Sequence, residues 1–259
     1  MTRDRETPQE APEGFFDRPG KGIVMADSTM EKWFEITRRM APELDPQKTA
    51  LLIIDMQQYQ VRKDWALYKY YDSFLPGVLD YFMDRTARVA EPNIQRLVEV
   101  FRAKDMRIVY TRFSSFCEDG SDLTKFFQTH NTITRDRYGD SCIPYQGAPS
   151  AQIISSLQPR DQDLVVVKNT SSVFVSTHLD RHLRHMGITQ LMVAGVVTNM
   201  CVEGAARTAA ELGFYVYIIE DACAAWSPEV HEGTLRSFQT IFGWVIDTDE
   251  AIRRIEKRC

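Results

Sequence analysis

The sequence predicts an α/β protein, a three-layer α/β/α arrangement around a six-stranded parallel sheet. Three observations carry this expectation. Short apolar runs alternate with helix-length amphipathic stretches from about residue 50 onward. The runs are continuous rather than alternating in polarity, as expected of strands covered on both faces. Three of them also end at or just before a chemically capable side chain. Residues 50–54 run into Asp55, 164–167 run into Lys168, and 190–196 lead within a few residues to Cys201. Ligand clefts of open α/β sheets form at such strand ends.

Taken in order, residues 1–47 read as an N-terminal extension ahead of a single domain over 48–259. The first 25 or so residues, rich in Pro, Glu, Arg and Gly, suggest a disordered arm or one packed on a neighbouring subunit. A short amphipathic helix is expected over 28–40, capped by Ser28. After the strand ending at Asp55 comes an insertion over 57–90, dense in aromatics such as Tyr59, Tyr70, Tyr71 and Phe82, which reads as a lid or a subunit interface. Helices are then expected near 91–104, 150–157, 177–185 and 202–212, with a last one after Ser227-Pro228. Strands are expected over 107–112, up to Lys168, and over 190–196, 215–219 and 244–246. Ser227-Pro228-Glu229 places a cap, a proline of preset φ and an acid at a helix start, and Gly187 and Gly213 stand where a left-handed residue closes a helix.

Composition excludes several function classes. With 31 Lys+Arg against 36 Asp+Glu and no dense basic block, the chain lacks the footprint of a nucleic-acid binder, and a small-molecule partner is expected. Five cysteines without a CxxC pair suggest a reducing cytoplasm rather than a disulfide framework. No signal-like or membrane-length apolar segment appears, so neither secretion nor membrane insertion is expected.

The three strand-end residues hold the chemistry. A thiol at a helix N-terminus faces unpaired N–H groups, and a nearby Lys168 ammonium would further favour thiolate at Cys201. Singly, each has a plainer reading: Cys201 as a small buried hydrophobe, Asp55 as a turn residue, Lys168 as a snorkelling surface lysine. Together they read as a nucleophile with its activators, provided the strands that bear them lie side by side.

Three segments, Leu52-Ile53-Ile54-Asp55-Met56-Gln57, Val167-Lys168 and Ala194-Gly195-Val196-Val197-Thr198-Asn199-Met200-Cys201-Val202-Glu203, resemble the signature of the isochorismatase-like cysteine hydrolases. The resemblance extends over about residues 48–255. It implies Cys201 as nucleophile, Asp55 as general base and acid, and Lys168 as the cation that holds them in register. It also implies a cis peptide at Val196-Val197, so that the Val197 and Cys201 N–H groups form an oxyanion hole. The pattern is similar to the ureidoacrylate and N-carbamoylsarcosine amidohydrolase branch, which implies cleavage of a C–N bond in a small amide, ureide or carbamoyl compound and release of ammonia or an amine. The alternatives are a vinyl-ether hydrolase of the isochorismatase type, disfavoured by the retained Cys201, and a catalytically silent binding protein on the same fold.

Nicotinamidases of this family hold a metal through an Asp-x-His pattern after the second strand. Here the chain reads Tyr110-Thr111-Arg112-Phe113-Ser114, so neither metal nor cofactor is expected. His178 and His182 make the only i, i+4 imidazole pair and read as a solvated helix face. Gln57, Arg112, Phe174, Asn199 and Trp226 are the substrate-binding candidates, with Arg112 preferred over Arg207 for a substrate carboxylate because Arg207 sits on a helix and reads equally as a structural ion-pair partner. Family habit implies a homodimer or homotetramer.

Overall fold

Six parallel strands form one sheet in the order β3-β2-β1-β4-β5-β6. They are β1 (Thr49–Ile54), β2 (Arg107–Phe113), β3 (Leu164–Lys168), β4 (Gln190–Val196), β5 (Tyr215–Ala224) and β6 (Trp244–Ile246). This is a computed structural model, and it describes residues 27–257. The chain builds outward from β1 through β2 to β3, then returns to the other side of β1 for β4 to β6. The reversal lies between β1 and β4, the place where α/β sheets open a crevice at the carboxyl ends of their strands.

The β1 residues are buried along its whole length, because both faces of the sheet are covered. Leu51 and Ile53 enter one core with Ile94, Leu97 and Phe101 of α5 (Glu91–Ala103) and with Ala251 and Ile255 of α11 (Thr248–Glu256). Leu52 and Ile54 enter the other. There they meet Leu183 of α8 (Leu179–His185), Ala205 and Ala209 of α9 (Glu203–Glu211), and Phe238 of α10 (Pro228–Ile241). Three layers follow from this alternation. Among the described residues, no helix is long and apolar enough to cross a membrane.

Several expectations need correction. Residues 150–157 form no α-helix but two single 3₁₀ turns, Pro149–Ala151 and Ser155–Leu157, tied to the chain after β1 by a Gln57–Ile153 bridge. Outside the 57–90 insertion three helices escaped the sequence reading, α6 (Lys125–Tyr138), the short α7 (Val173–Ser176) and the C-terminal α11. The first helix, α1 (Asp27–Arg39), begins before Ser28, so Ser28 lies inside its first turn rather than ahead of it. That helix lies against its own chain, Trp33 donating to the Thr240 carbonyl and Trp244 to the Thr37 carbonyl. The arm expected over the first 25 or so residues falls outside the described residues.

The 57–90 insertion is helical rather than a loose loop, comprising α2 (Gln58–Val61), α3 (Ala66–Phe74), α4 (Asp80–Arg85) and a π-helical turn, Thr86–Ala90. The expected caps are present where side chains decide the geometry. Ser227 accepts from the Val230 N–H at the start of α10, and Gly187 and Gly213 take φ of 75° and 88° after their helices. One glycine is demanded by packing: Gly195 in β4 has φ 114°, and a Cβ there would lie 2.1 Å from the Ile54 carbonyl oxygen. That absence of a side chain lets β4 close on β1 just below the site.

Candidate active site

The end of β1 turns sharply at Asp55, whose φ of 51° lies in the left-handed region that aspartate tolerates better than most residues. The turn aims the carboxylate back over the sheet edge. Its Oδ1 accepts a 2.6 Å hydrogen bond from the Thr111 hydroxyl, and Thr111 Oγ1 in turn accepts from the Asp55 N–H at 3.2 Å. Its Oδ2 meets the Lys168 ammonium at 2.8 Å and takes no other hydrogen bond. Both side chains have 0% exposure.

The strands bearing the trio are not all neighbours, in contrast to the expectation. Strands β1 and β4 are adjacent, but β2 separates β1 from β3. Lys168 is in register with Phe113 of β2, and its long side chain crosses that strand with Nζ 4.5 Å from the Phe113 ring centroid. Its three protons are all directed: to Asp55, to Cys201 Sγ at 3.2 Å and to the Thr170 carbonyl at 3.1 Å. The sheet thus brings Asp55, Lys168 and Cys201 into one contact set.

Cys201 sits in a π-helical turn, Thr198–Val202, that joins β4 to α9. The Val196-Val197 peptide ahead of it is cis, as the resemblance implied. Behind the turn, the Thr198 hydroxyl lies 2.9 Å from His231 Nδ1, while Arg85 approaches His231 Nε2 at 2.9 Å. A guanidinium only donates, so Nε2 accepts and Nδ1–H donates to Thr198, which makes His231 a neutral imidazole. Burial, helped by Arg85, pushes the His231 pKa down to about 4. Thr111, Thr198, His231 and Arg85 are supporting residues that the sequence reading missed.

The electrostatics overturn one expectation. Burial pushes the Cys201 thiol up to about 12, against the lowering effect of Lys168 and together with the raising effect of Asp55. The helix-terminus argument omitted desolvation, which here outweighs the ammonium. Burial works to lower the Lys168 pKa, but Asp55 and Cys201 outweigh it and hold the ammonium above its usual range. The thiol is thereby held toward its neutral form beside the buried Lys168–Asp55 ion pair.

Cys201 and Val197 form part of the wall of a cavity of about 340 Å³. Tyr59 and Gln60 of α2, Leu67 and Tyr71 of α3, and Phe82 of α4 line one part of it, so the insertion contributes directly to the cavity. Phe113, Ile143, Ser171 and Met200 complete it with Phe126 and Phe127 of α6 and with Trp226.

Of the substrate-binding candidates, only Trp226 lines this cavity, edge-to-face with Tyr71 at 4.9 Å. Gln57 is buried as a structural tie, donating to the Ala151 carbonyl and the Ser114 hydroxyl and accepting from the Phe113 N–H. Arg112 turns away because Thr111, its neighbour in β2, faces Asp55, and alternate strand residues face opposite ways. It donates instead to Gln152 Oε1 and the Gln146 carbonyl. Phe174 stacks on Phe214 in the core, and Asn199 lies outside the lining with a buried, unpartnered Oδ1. Arg207 pairs with Glu203 and Ser237, its structural reading. Among the described residues, no group of three or more His, Cys, Asp or Glu side chains is placed to hold a metal ion.

Comparison with known proteins gives a consistent picture. Residues 49–250 match the Isochorismatase domain family. The chain is 30% identical over 246 residues to ureidoacrylate amidohydrolase RutB of Acinetobacter baylyi, covering 90% of this chain and 95% of that protein. A cysteine hydrolase from Pseudomonas syringae pv. phaseolicola is 27% identical with a TM-score of 0.70, covering 84% of this chain and 97% of that one. N-carbamoylsarcosine amidase from Thermoplasma acidophilum, 21% identical with a TM-score of 0.56 over 78% of this chain and 97% of its own, shares the fold.

Proposed function

The chain belongs to the isochorismatase domain family, and from that premise we propose that it is a cysteine-dependent hydrolase of a C–N bond in a small amide, ureide or carbamoyl compound. The observation that carries the reading is the Lys168 ammonium, 2.8 Å from Asp55 Oδ2 and 3.2 Å from Cys201 Sγ, with the thiol at the wall of a cavity. The likeness to a ureidoacrylate amidohydrolase supports the choice of C–N chemistry.

The charge balance suggests the order of events. A lone thiolate in this buried trio would leave it with a net negative charge, which burial opposes. Passing the thiol proton to Asp55 while Sγ bonds to the substrate carbonyl carbon keeps the total unchanged, and Lys168 stays protonated throughout. The carbonyl oxygen gains the negative charge, and the N–H groups of Val197 and Cys201 are the proposed donors to it. Asp55 then returns the proton to the departing nitrogen as the C–N bond breaks, which leaves a thioester-type acyl-enzyme and free ammonia or amine.

In the second half, Asp55 takes a proton from water as the water oxygen attacks the acyl carbon. The C–S bond breaks, the acid product leaves and the proton returns to sulfur. The test is ammonia release from a panel of amides and ureides, with Cys201→Ala in parallel. Cysteine-dependent release is expected. Undiminished release by Cys201→Ala would overturn the reading.

A further inference from the structure

We infer that the acyl or carbamoyl portion of the substrate is uncharged and largely apolar, an aryl or branched-alkyl amide or urea rather than a ureido acid. The inference rests on the amidohydrolase reading above and concerns what occupies the same cavity. Among the described residues that line the cavity, none is Arg, Lys, His, Asp or Glu. The wall is instead built of aromatic rings, including two edge-to-face pairs in which Tyr71 meets Trp226 at 4.9 Å and Phe113 meets Phe127 at 5.3 Å.

The two cations that could be asked to hold a carboxylate are directed elsewhere. Each proton of Lys168 already has a partner, and Arg112, the natural candidate to grip a carboxylate, faces Gln146 and Gln152. The Tyr59 hydroxyl donates to the Phe113 carbonyl and accepts from Gln60. A substrate carboxylate placed here would lose its water without gaining a cation or a fork of donors. An apolar body would instead bury its surface against preset rings, in a cavity at the lower end of the usual small-molecule range of about 300–1,000 Å³. The chemistry reinforces the choice. Hydrolysis of such an amide with water yields ammonia and a carboxylic acid, which ionises, so a neutral ligand becomes an anion that this wall has nothing to hold.

The test measures kcat/KM of the full-length protein, by ammonia release, for 3-phenylpropanamide against succinamate and for phenylurea against 3-ureidoacrylate. The neutral member of each pair is expected to lead by about 100-fold or more, the scale on which an apolar pocket disfavours a ligand that carries an added polar group. Equal or better use of succinamate or 3-ureidoacrylate would overturn the inference while leaving the amidohydrolase reading intact. Calorimetry of Cys201→Ala with the same compounds separates the two claims. If neither pair is hydrolysed by wild type but the variant binds the neutral members more tightly, the cavity assignment stands and the amidohydrolase reading falls. Absence of both turnover and binding preference overturns both.

Discussion

Thr111 and Asp55 exchange two hydrogen bonds across adjacent strands, one from the threonine hydroxyl to Oδ1 and one from the aspartate N–H back to that hydroxyl. This reciprocal pair fixes the carboxylate so that Oδ2 alone is left for Lys168 and for a proton. Thr111→Val, which keeps the shape and removes the donor, is expected to lower kcat by about 10- to 100-fold, the worth of one hydrogen bond to a charged group. KM should change little and Thr111→Ser should recover most of the loss. Steady-state kinetics on a substrate found in the panel checks this, and unchanged kcat in Thr111→Val would deny the hydroxyl its positioning role.

The buried ion pair gives a stability prediction with an internal control. Lys168→Met strands the Asp55 carboxylate and is expected to cost about 3–5 kcal/mol. Adding Asp55→Asn removes the stranded charge and keeps a residue that tolerates the left-handed backbone, so the double variant should regain much of the loss while staying inactive. Urea unfolding of the wild type, both single variants and the double variant measures it. Additive losses would show that the two side chains are not coupled.

The thiol should behave as a poor nucleophile in the resting enzyme. With its pKa pushed up to about 12 by burial, the rate of Cys201 alkylation by iodoacetamide should climb about tenfold per pH unit from neutrality to pH 10, because only thiolate reacts. Mass spectrometry of the modified peptide follows it. A plateau below pH 8 would mean a preformed thiolate and would contradict the proposed proton transfer to Asp55.

His231 predicts acid sensitivity. Its folded-state pKa of about 4 lies below the ordinary value of 6.5, so the unfolded chain binds a proton first as pH falls. Stability is full above about pH 6.5 and is lost progressively down to about pH 4, amounting to about 3 kcal/mol by linkage. Replacement by glutamine removes the titration, so His231→Gln should lose less stability than wild type between pH 7 and 4.5 in urea titrations. Parallel curves for the two proteins would refute this.

The legible parts of the chain were those where local pattern and burial agree. All six strands appear where continuous apolar runs stand, and Asp55, Lys168 and Cys201 meet because strand ends share one rim of the sheet. Helix α6 was not legible because its buried positions are the polar Asn131 and Thr134, which leave no apolar stripe. It nevertheless brings Phe126 and Phe127 to the cavity. Thr111 reads as an ordinary strand former, and nothing local distinguishes it from a surface threonine. Arg112 lies outside the cavity lining because strand alternation, once Thr111 faces Asp55, directs it to Gln146 and Gln152. The state of the thiol depends on desolvation, which only the assembled structure reveals.

The strand order also bears on synthesis. A chain that pairs β1, β2 and β3 before β4 is made would leave the far edge of β1 open, an apolar strand whose backbone groups await β4. Such an edge invites adhesion to other nascent chains. Closure by β4 both covers that edge and delivers Cys201 beside Lys168, so the same event ends the aggregation hazard and creates the site. A ribosome-stalled chain truncated before β4 should therefore be a strong chaperone client without a trace of hydrolytic competence.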